Sequence, residues 1–166
     1  NELDEEITRE CMRLANEKEI PVILDPAPYR KNLKMDYYKM ADIITPNETE
    51  AEYMTGIKIS NLNDAKNAAS MLVSKGIKSC IITLGENGAL YKSNDKEIFY
   101  EPHKIDKVRA SVAAGDAFTG ILGASIASGT SVDKSIKYAI VGSAISVTRY
   151  GAQESMPEYE EIISAL

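Results

Sequence analysis

Apolar residues follow two patterns that alternate along the chain: helical spacing, and short continuous runs that end at turn residues. Helical spacing predicts an amphipathic helix over residues 3–18, because its apolar positions fall three or four residues apart. Those positions are Ile7, Cys11, Leu14 and Ala15. They are expected to turn one face of this helix toward a core.

Short apolar runs that end at glycine, proline or asparagine are typical of buried strands. They occupy residues 21–25, 43–45, 79–84, 89–91 and 98–100. The last two runs lie close in sequence and are expected to pair as a hairpin. Residues 104–109 are predicted to form one more strand. Further helices are predicted at residues 35–40, 47–56, 64–75, 132–149 and beyond Pro157.

Strands that alternate with helices indicate βαβ units, so the sequence predicts an α/β fold in three layers, with a mainly parallel sheet between helices. In such sheets, ligands bind at the carboxyl ends of the strands. Three polar or glycine-rich turns follow predicted strands, and we expect all three at that edge. They are residues 45–50, 83–88 and 113–116.

Composition and charge narrow the possible functions. The chain has 166 residues, 44% of them hydrophobic, and a net charge of −6, which fits one domain with its own core. Neither nucleic acid nor a membrane is expected as a partner, because the chain is acidic and has no long apolar run. Cys11 and Cys80 lack metal-ligand spacing, and His103 is the sole histidine. We therefore expect no zinc site, and two buried thiols in a cytoplasmic protein.

The stretch from Ala113 to Asp116 carries the strongest candidate chemistry. Its small residues let a ligand approach the backbone, and it opens a helix that we expect to be buried up to Ala127. Unpaired amides and the dipole at a helix N-terminus favour a phosphate or a developing anion. Asp116 could then accept a proton from an attacking hydroxyl. A plain helix start, with Asp116 complementing the dipole, fits the same residues.

Five ordered motifs resemble the ribokinase branch of the PfkB carbohydrate kinase family over essentially the whole chain. They are Asp25-Pro26-Ala27-Pro28, Thr45-Pro46-Asn47-Glu48-Thr49-Glu50, Thr83-Leu84-Gly85-Glu86-Asn87-Gly88, Ala113-Ala114-Gly115-Asp116-Ala117-Phe118 and Val147-Thr148-Arg149-Tyr150-Gly151-Ala152-Gln153. The resemblance implies a ribokinase-like αβα fold that is incomplete at its N-terminal side. Residues 1–166 would be its C-terminal nucleotide-binding and catalytic part, using ATP and Mg²⁺.

The resemblance also implies roles for single residues. Asp116 would be the general base for the sugar hydroxyl, and the backbone of Ala113, Ala114 and Gly115 would form the anion hole for the migrating phosphoryl group. A second motif, Asn47 with Glu50, would order Mg²⁺ and its water molecules. From the residues alone, Asn47 and Glu50 are a capping pair at a helix start, and one helix start can serve both purposes.

The nucleotide would meet a second set of residues. The resemblance implies that Thr83, Gly85 and Gly88 contact its phosphates and ribose, although an ordinary exit from a strand explains these residues equally well. Ile140 stands where the family usually has a polar residue near the adenine. Selectivity for adenine is therefore open.

A site for a monovalent cation such as K⁺ is also implied, and this chain departs from the family pattern there. The positions that persist are Ser146, Arg149, Gly151 and Ser155. The carboxylate expected at position 110 is replaced by Ala110, and Val112 stands where a hydroxyl is expected. A K⁺ site without its carboxylate should be weak.

The sequence leaves two alternative functions from different classes. The first is an ATP-dependent sugar kinase, with D-ribose converted to ribose 5-phosphate. The second is a truncated or degenerate nucleotide-binding module without kinase activity. A PfkB member that acts on a nucleoside or a sugar phosphate is a third possibility. Because sheet edges and apolar faces would be exposed in a partial domain, a homo-oligomer is also possible.

Overall fold

A computed structural model describes residues 3–31 and 33–166, with seven α-helices, five strands and two short 3-10 helices at Gly85–Asn87 and Gln153–Ser155. The helices are α1 (Glu5–Glu17), α2 (Met35–Tyr38), α3 (Glu48–Thr55), α4 (Leu62–Ser74), α5 (Ala114–Ala127), α6 (Val132–Ser146) and α7 (Tyr159–Ser164). The strands are β1 (Ile23–Leu24), β2 (Ile43–Ile44), β3 (Ser79–Thr83), β4 (Ala89–Ser93) and β5 (Glu97–Tyr100). The chain divides into two compact units, of which the second comprises Glu86–Gly88 and Tyr100–Leu166.

The first unit contains the sheet, whose strands lie in the order in which they occur in the chain. Strands β1, β2 and β3 are parallel, and β3 pairs with β4 in the antiparallel sense. The predicted hairpin is confirmed, since the Ser93 amide donates to the Lys96 carbonyl at 2.9 Å between β4 and β5. The predicted α/β fold, with a mainly parallel sheet flanked by helices, is therefore confirmed.

Helix α4 shows how the sequence pattern produces the core of this unit. Asn61 caps the helix by accepting a hydrogen bond from the Asp64 amide at 3.1 Å. One face of α4 is fully buried, and its residues join those of β3 in a single apolar cluster. The buried residues of α4 are Ala65, Ala68, Ala69, Leu72 and Val73.

The predicted inner face of α1 is wrong. Ile7 and Leu14 have exposed fractions of 58% and 43%, and Cys11 is exposed as well. Met12 is buried instead, on the face that also places the Arg9 guanidinium 5.2 Å from the Tyr37 ring. Apolar spacing detects an amphipathic helix, but here the long stem of Arg9 helps to cover the packed face.

The two cysteines differ in their surroundings. Cys80 is buried in β3 as predicted, and burial raises the pKa of its thiol to about 12. The expectation of two buried thiols is wrong for Cys11, because it lies on the exposed face of α1.

The second unit is built around α5 and α6, which pack closely. A methyl group added at Gly142 of α6 would lie 2.2 Å from Cδ1 of Ile121 in α5, so the Ile121 side chain would have to move to admit it. Helix α5 is not buried along its whole length, contrary to the sequence prediction. It buries Ala117, Phe118 and Leu122, whereas Gly120 is exposed.

Two boundaries in this unit also differ from prediction. Residues 104–109 form no strand, and helix α6 ends at Ser146 rather than at residue 149. The amides of Arg109 and Ala110 both donate to the Val147 carbonyl, at 2.8 and 3.2 Å. The segment is therefore held by a loop carbonyl rather than by a neighbouring strand, a tertiary contact that local composition does not encode.

Candidate functional site

The ends of β2 and β3 bring two predicted site residues together. Asn47 and Thr83 form an isolated parallel bridge, and the Thr83 amide donates to the Pro46 carbonyl at 3.0 Å. Both residues leave the carboxyl ends of parallel strands, where ligands of α/β sheets bind. The turn after β2 and the turn after β3 therefore open side by side, as predicted.

Asn47 and Glu50 form a reciprocal pair at the start of α3. The Asn47 side chain accepts from the Glu50 amide, and the Glu50 carboxylate accepts from the Asn47 amide, both at 2.9 Å. Asn47 is exposed, whereas Glu50 has an exposed fraction of only 7%. The predicted capping box is confirmed, and it fixes a nearly buried carboxylate beside the bridge to Thr83.

The surroundings of Glu50 disfavour the charged form of its carboxyl group. Burial raises the pKa of its carboxyl group; the hydrogen bond from the Asn47 amide opposes this shift, and the nearby Asp25 carboxylate adds to it. Such a group gains from a cation that neutralises it. Among the described residues, no three His, Cys, Asp or Glu side chains are grouped as metal ligands. A hard divalent cation would therefore reach Glu50 with most of its water or phosphate ligands kept, as Mg²⁺ prefers.

The two glycines of the next turn have different reasons for being glycine. Gly85 has a φ of +53°, and a methyl group added there would meet nothing within 4 Å. Gly88 has a φ of +96°, and the same addition would lie 2.1 Å from the Tyr100 carbonyl oxygen. The chain packing alone thus demands glycine at position 88, while the backbone at Gly85 remains open to a ligand.

The N-terminus of α5 is the most unusual feature of the second unit. Ala113 occupies the N-cap position with a φ of +63°, in the left-handed region that alanine rarely adopts. No side chain caps this helix, whereas Asp4, Asn47, Asn61 and Ser131 cap α1, α3, α4 and α6. Sequence reasoning identified the turn but missed the strained alanine within it.

The backbone amides of this strained turn are the available hydrogen-bond donors. The amide of Ala114 makes only a long contact of 3.4 Å with the Ser111 carbonyl. The amides of Gly115 and Asp116 precede the first backbone bond of the helix, which runs from Ala117 to the Ala113 carbonyl at 2.8 Å. The Asp116 side chain is exposed in the same turn. Amide donors, the positive end of a helix dipole and a carboxylate therefore meet at one exposed place.

The loop after α6 contains the residues that the resemblance places around a monovalent cation. Ser146 and Ser155 are buried, and their hydroxyls donate to the carbonyls of Ser143 and Ala152, at 2.8 and 2.7 Å. The Ser146 carbonyl accepts from the Arg149 amide at 3.1 Å. Several of the expected oxygens therefore already serve protein hydrogen bonds.

Arg149 and Gly151 shape this loop. The Arg149 guanidinium donates to the carboxylate of Glu161, and this contact holds the pKa of that carboxyl below its usual range. Gly151 has a φ of +94°, and a methyl group there would lie 2.6 Å from Oε2 of Glu154. Arg149 thus has a structural partner in Glu161, and the positive φ favours glycine at position 151.

One cavity in the second unit includes Ile140. Its volume is about 280 Å³, and it is lined by residues 100–103, by α6 and by the residues after α7. Its lining residues are Tyr100, Glu101, Pro102, His103, Lys137, Ile140, Val141, Ala165 and Leu166. The lining is mostly apolar, and Glu101, His103 and Lys137 supply its charged or titratable side chains.

Comparisons with known proteins found a matching family model and similar curated proteins. The model of the "pfkB family carbohydrate kinase" matches residues 1–159. A deoxyribokinase of Salmonella typhi is 37% identical over 142 residues, which is 86% of this chain and 46% of that protein. A ribokinase of Haemophilus influenzae is 35% identical over 154 residues, 93% of this chain and 50% of that protein.

A solved structure supports the fold. The structure of Arabidopsis thaliana ribokinase complexed with ribose and ATP superposes with a TM-score of 0.90 at 23% sequence identity, covering 98% of this chain and 52% of that one. The chain therefore spans about half the length of the curated relatives that it matches. Within the described residues, no helix is long and apolar enough to cross a membrane.

Proposed function

Because the chain belongs to the pfkB family of carbohydrate kinases, we propose that it forms the nucleotide-binding and catalytic part of a sugar kinase. The reaction transfers the γ-phosphoryl group of ATP to a hydroxyl group of a pentose. D-Ribose, giving ribose 5-phosphate, is the proposed substrate.

The observation that carries this proposal is the strained, uncapped start of α5. A left-handed alanine costs stability, and residues held in such conformations cluster at functional sites. Here Ala113 at the N-cap offers no side-chain acceptor to the amides of Gly115 and Asp116. Preorganised amides of this kind stabilise charge that develops during phosphoryl transfer.

Asp116 is the proposed general base. Its carboxylate accepts the proton of the attacking sugar hydroxyl while the new O–P bond forms and the bond to ADP breaks. The amides from Ala113 to Asp116 donate to the oxygens of the phosphoryl group as it moves. Both parts lie within the first turn of one helix, so their separation is fixed by the backbone.

Asn47 and Glu50 are proposed to serve the divalent cation. When bound, Mg²⁺ neutralises the charge of the phosphate oxygens and orients them. Glu50 fits this group because it is a nearly buried carboxylate whose charged form gains from a cation. Thr83, which bridges to Asn47, and Gly85 are proposed to contact the nucleotide, and the open backbone at Gly85 suits a close approach.

The relatives guide the choice of sugar. One is named a ribokinase, and another a deoxyribokinase. D-Ribose and 2-deoxy-D-ribose are therefore the two substrates to compare first. They differ by one hydroxyl group, and a site built to bind that group would discriminate strongly between them.

The experiment measures ADP formation by the full-length protein that carries this chain, with ATP, Mg²⁺ and each pentose. Asp116→Asn keeps the shape of the side chain and removes the base, so the rate should fall by about 10²–10⁴-fold while ATP binding changes little. Asp95→Asn, in the exposed turn of the β4–β5 hairpin, is the matched control and should leave the rate unchanged.

Two results would overturn the proposal. Near wild-type turnover by Asp116→Asn would remove this residue from the role of base. Binding of ATP without turnover of any pentose would instead favour a nucleotide-binding module.

A further inference from the structure

The segment that leads into the strained turn is tied to the loop after α6 by a side chain as well as by backbone. Besides the two backbone bonds to Val147, the guanidinium carbon of Arg109 lies 5.7 Å from the centre of the Tyr150 ring. This distance is within the range of a cation–π contact. Arg109 lies four residues before Ala113, in the segment that leads into the start of α5.

The same region lacks side-chain oxygens that the resemblance leads us to expect as ligands of a monovalent cation. Ala110 and Val112 offer no side-chain oxygen, and the Ser146 carbonyl and the Ser155 hydroxyl already take part in hydrogen bonds within the loop. These oxygens keep lone pairs, but without a carboxylate at position 110 a partly dehydrated K⁺ would find only neutral ligands among them. The two chain segments that such an ion would join are nevertheless joined, by Arg109.

We propose that Arg109 is a positioning residue, which holds together the two chain segments that a monovalent cation would otherwise join. Its guanidinium lies against Tyr150 and orders the backbone of residues 110–114. This inference rests on the proposed function of residues 113–116 as an anion hole. Arginine suits this role because its charge is permanent, its plane stacks on an aromatic ring and it is weakly hydrated. A tethered charge also needs no cation from solution.

Arg109 acts through the backbone and does not touch the substrate. Its loss should therefore lower kcat more than it changes KM for ATP. The contact is exposed at both partners, so removing it should lower kcat by about 2- to 5-fold, the rate equivalent of one exposed cation–π contact.

Four variants test the contact itself in the full-length protein. Arg109→Ala and Tyr150→Leu should each lower kcat, and the double variant should be no slower than either, because one contact is lost in all three. Arg109→Lys and Tyr150→Phe keep a cation and an aromatic ring, and should restore most of the rate. Lys134→Ala is the matched control, because Lys134 lies 5.6 Å from the Tyr138 ring in the same unit but outside this loop, and it should leave kcat unchanged.

Hydrogen exchange gives a readout that needs no activity. Amides of residues 110–115 should exchange faster in Arg109→Ala than in the wild type and in Arg109→Lys, whereas Lys134→Ala should not affect them. Unchanged exchange and unchanged kcat in Arg109→Ala would overturn the inference, and so would a failure of lysine to restore both. If exchange responds as expected but no pentose is phosphorylated by the wild type, the positioning role stands and the proposed kinase function fails.

Discussion

Asn47 and Glu50 each satisfy the other's backbone amide, at 2.9 Å in both directions. This pair is at once a structural cap for α3 and the site of a nearly buried carboxylate. The two roles can be separated, because the first depends on hydrogen-bond acceptors and the second on charge.

The first prediction separates these roles. Asn47→Ala should cost about 1 kcal/mol of stability, as other N-cap losses do, whereas Glu50→Gln keeps an acceptor oxygen and should cost less. Glu50→Gln should strongly raise the Mg²⁺ concentration needed for half-maximal activity, and Asn47→Ala should raise it less, because it keeps the carboxylate. Asn61→Ala removes the cap of α4 and is the control, since it should lower stability like Asn47→Ala with no effect on the Mg²⁺ requirement. Equal Mg²⁺ curves for wild type and Glu50→Gln would contradict the assignment.

The second prediction concerns the monovalent cation. Ala110 and Val112 remove side-chain ligands from the expected site, so initial rates should be nearly equal in K⁺ and in tetramethylammonium at equal ionic strength. Ala110→Asp restores a carboxylate beside the loop, and this variant should gain K⁺ activation. A many-fold rise of the wild-type rate in K⁺ would show that loop oxygens alone hold the ion.

The third prediction compares two glycines with positive φ. Gly85→Ala should cost about 1–2 kcal/mol, because alanine is strained in the left-handed region but meets no neighbour. Gly88→Ala adds an overlap with the Tyr100 carbonyl oxygen, and overpacking should bring its total cost to about 2–5 kcal/mol. Urea unfolding of both variants measures the difference, and equal costs would mean that the backbone at position 88 can move aside.

The fourth prediction is a pH dependence that arises from Asp42. Its carboxylate accepts hydrogen bonds from the Val22 amide and the Lys78 ammonium group, both at 2.8 Å. Partial burial raises the pKa of Asp42, but these two bonds outweigh it, so the pKa lies below its ordinary value. The unfolded chain then binds the proton more readily, and stability from Asp42 is present above the ordinary pKa and lost as the pH falls through the lowered one.

Asp42→Asn tests this linkage. The variant should lose about 1 kcal/mol at neutral pH, a figure reduced for the partial exposure of the pair, and the loss should shrink as the pH approaches 3. Asp36→Asn, which removes an exposed ion pair with Lys39, should show little effect at neutral pH. A loss for Asp42→Asn that stays constant between pH 7 and pH 3 would contradict the sign of the shift.

The sequence by itself determined much of this protein. Apolar runs bounded by turn residues located β1 to β5, and glycine, asparagine and small residues marked the turns after β2 and β3 and the start of α5. These signals are local: a capping box, a left-handed glycine and a buried strand each depend on a few neighbouring residues. The capping of α3 by Asn47 and Glu50 was predictable for that reason.

Only the tertiary structure decided which partners those elements meet. It showed that α1 packs through Met12 rather than through Ile7 and Leu14, because the packed face depends on what lies beneath the helix. It also showed the strain at Ala113 and the contact of Arg109 with Tyr150. Neither follows from local composition, since a backbone angle and a contact between residues distant in sequence are imposed by the packing of the whole unit.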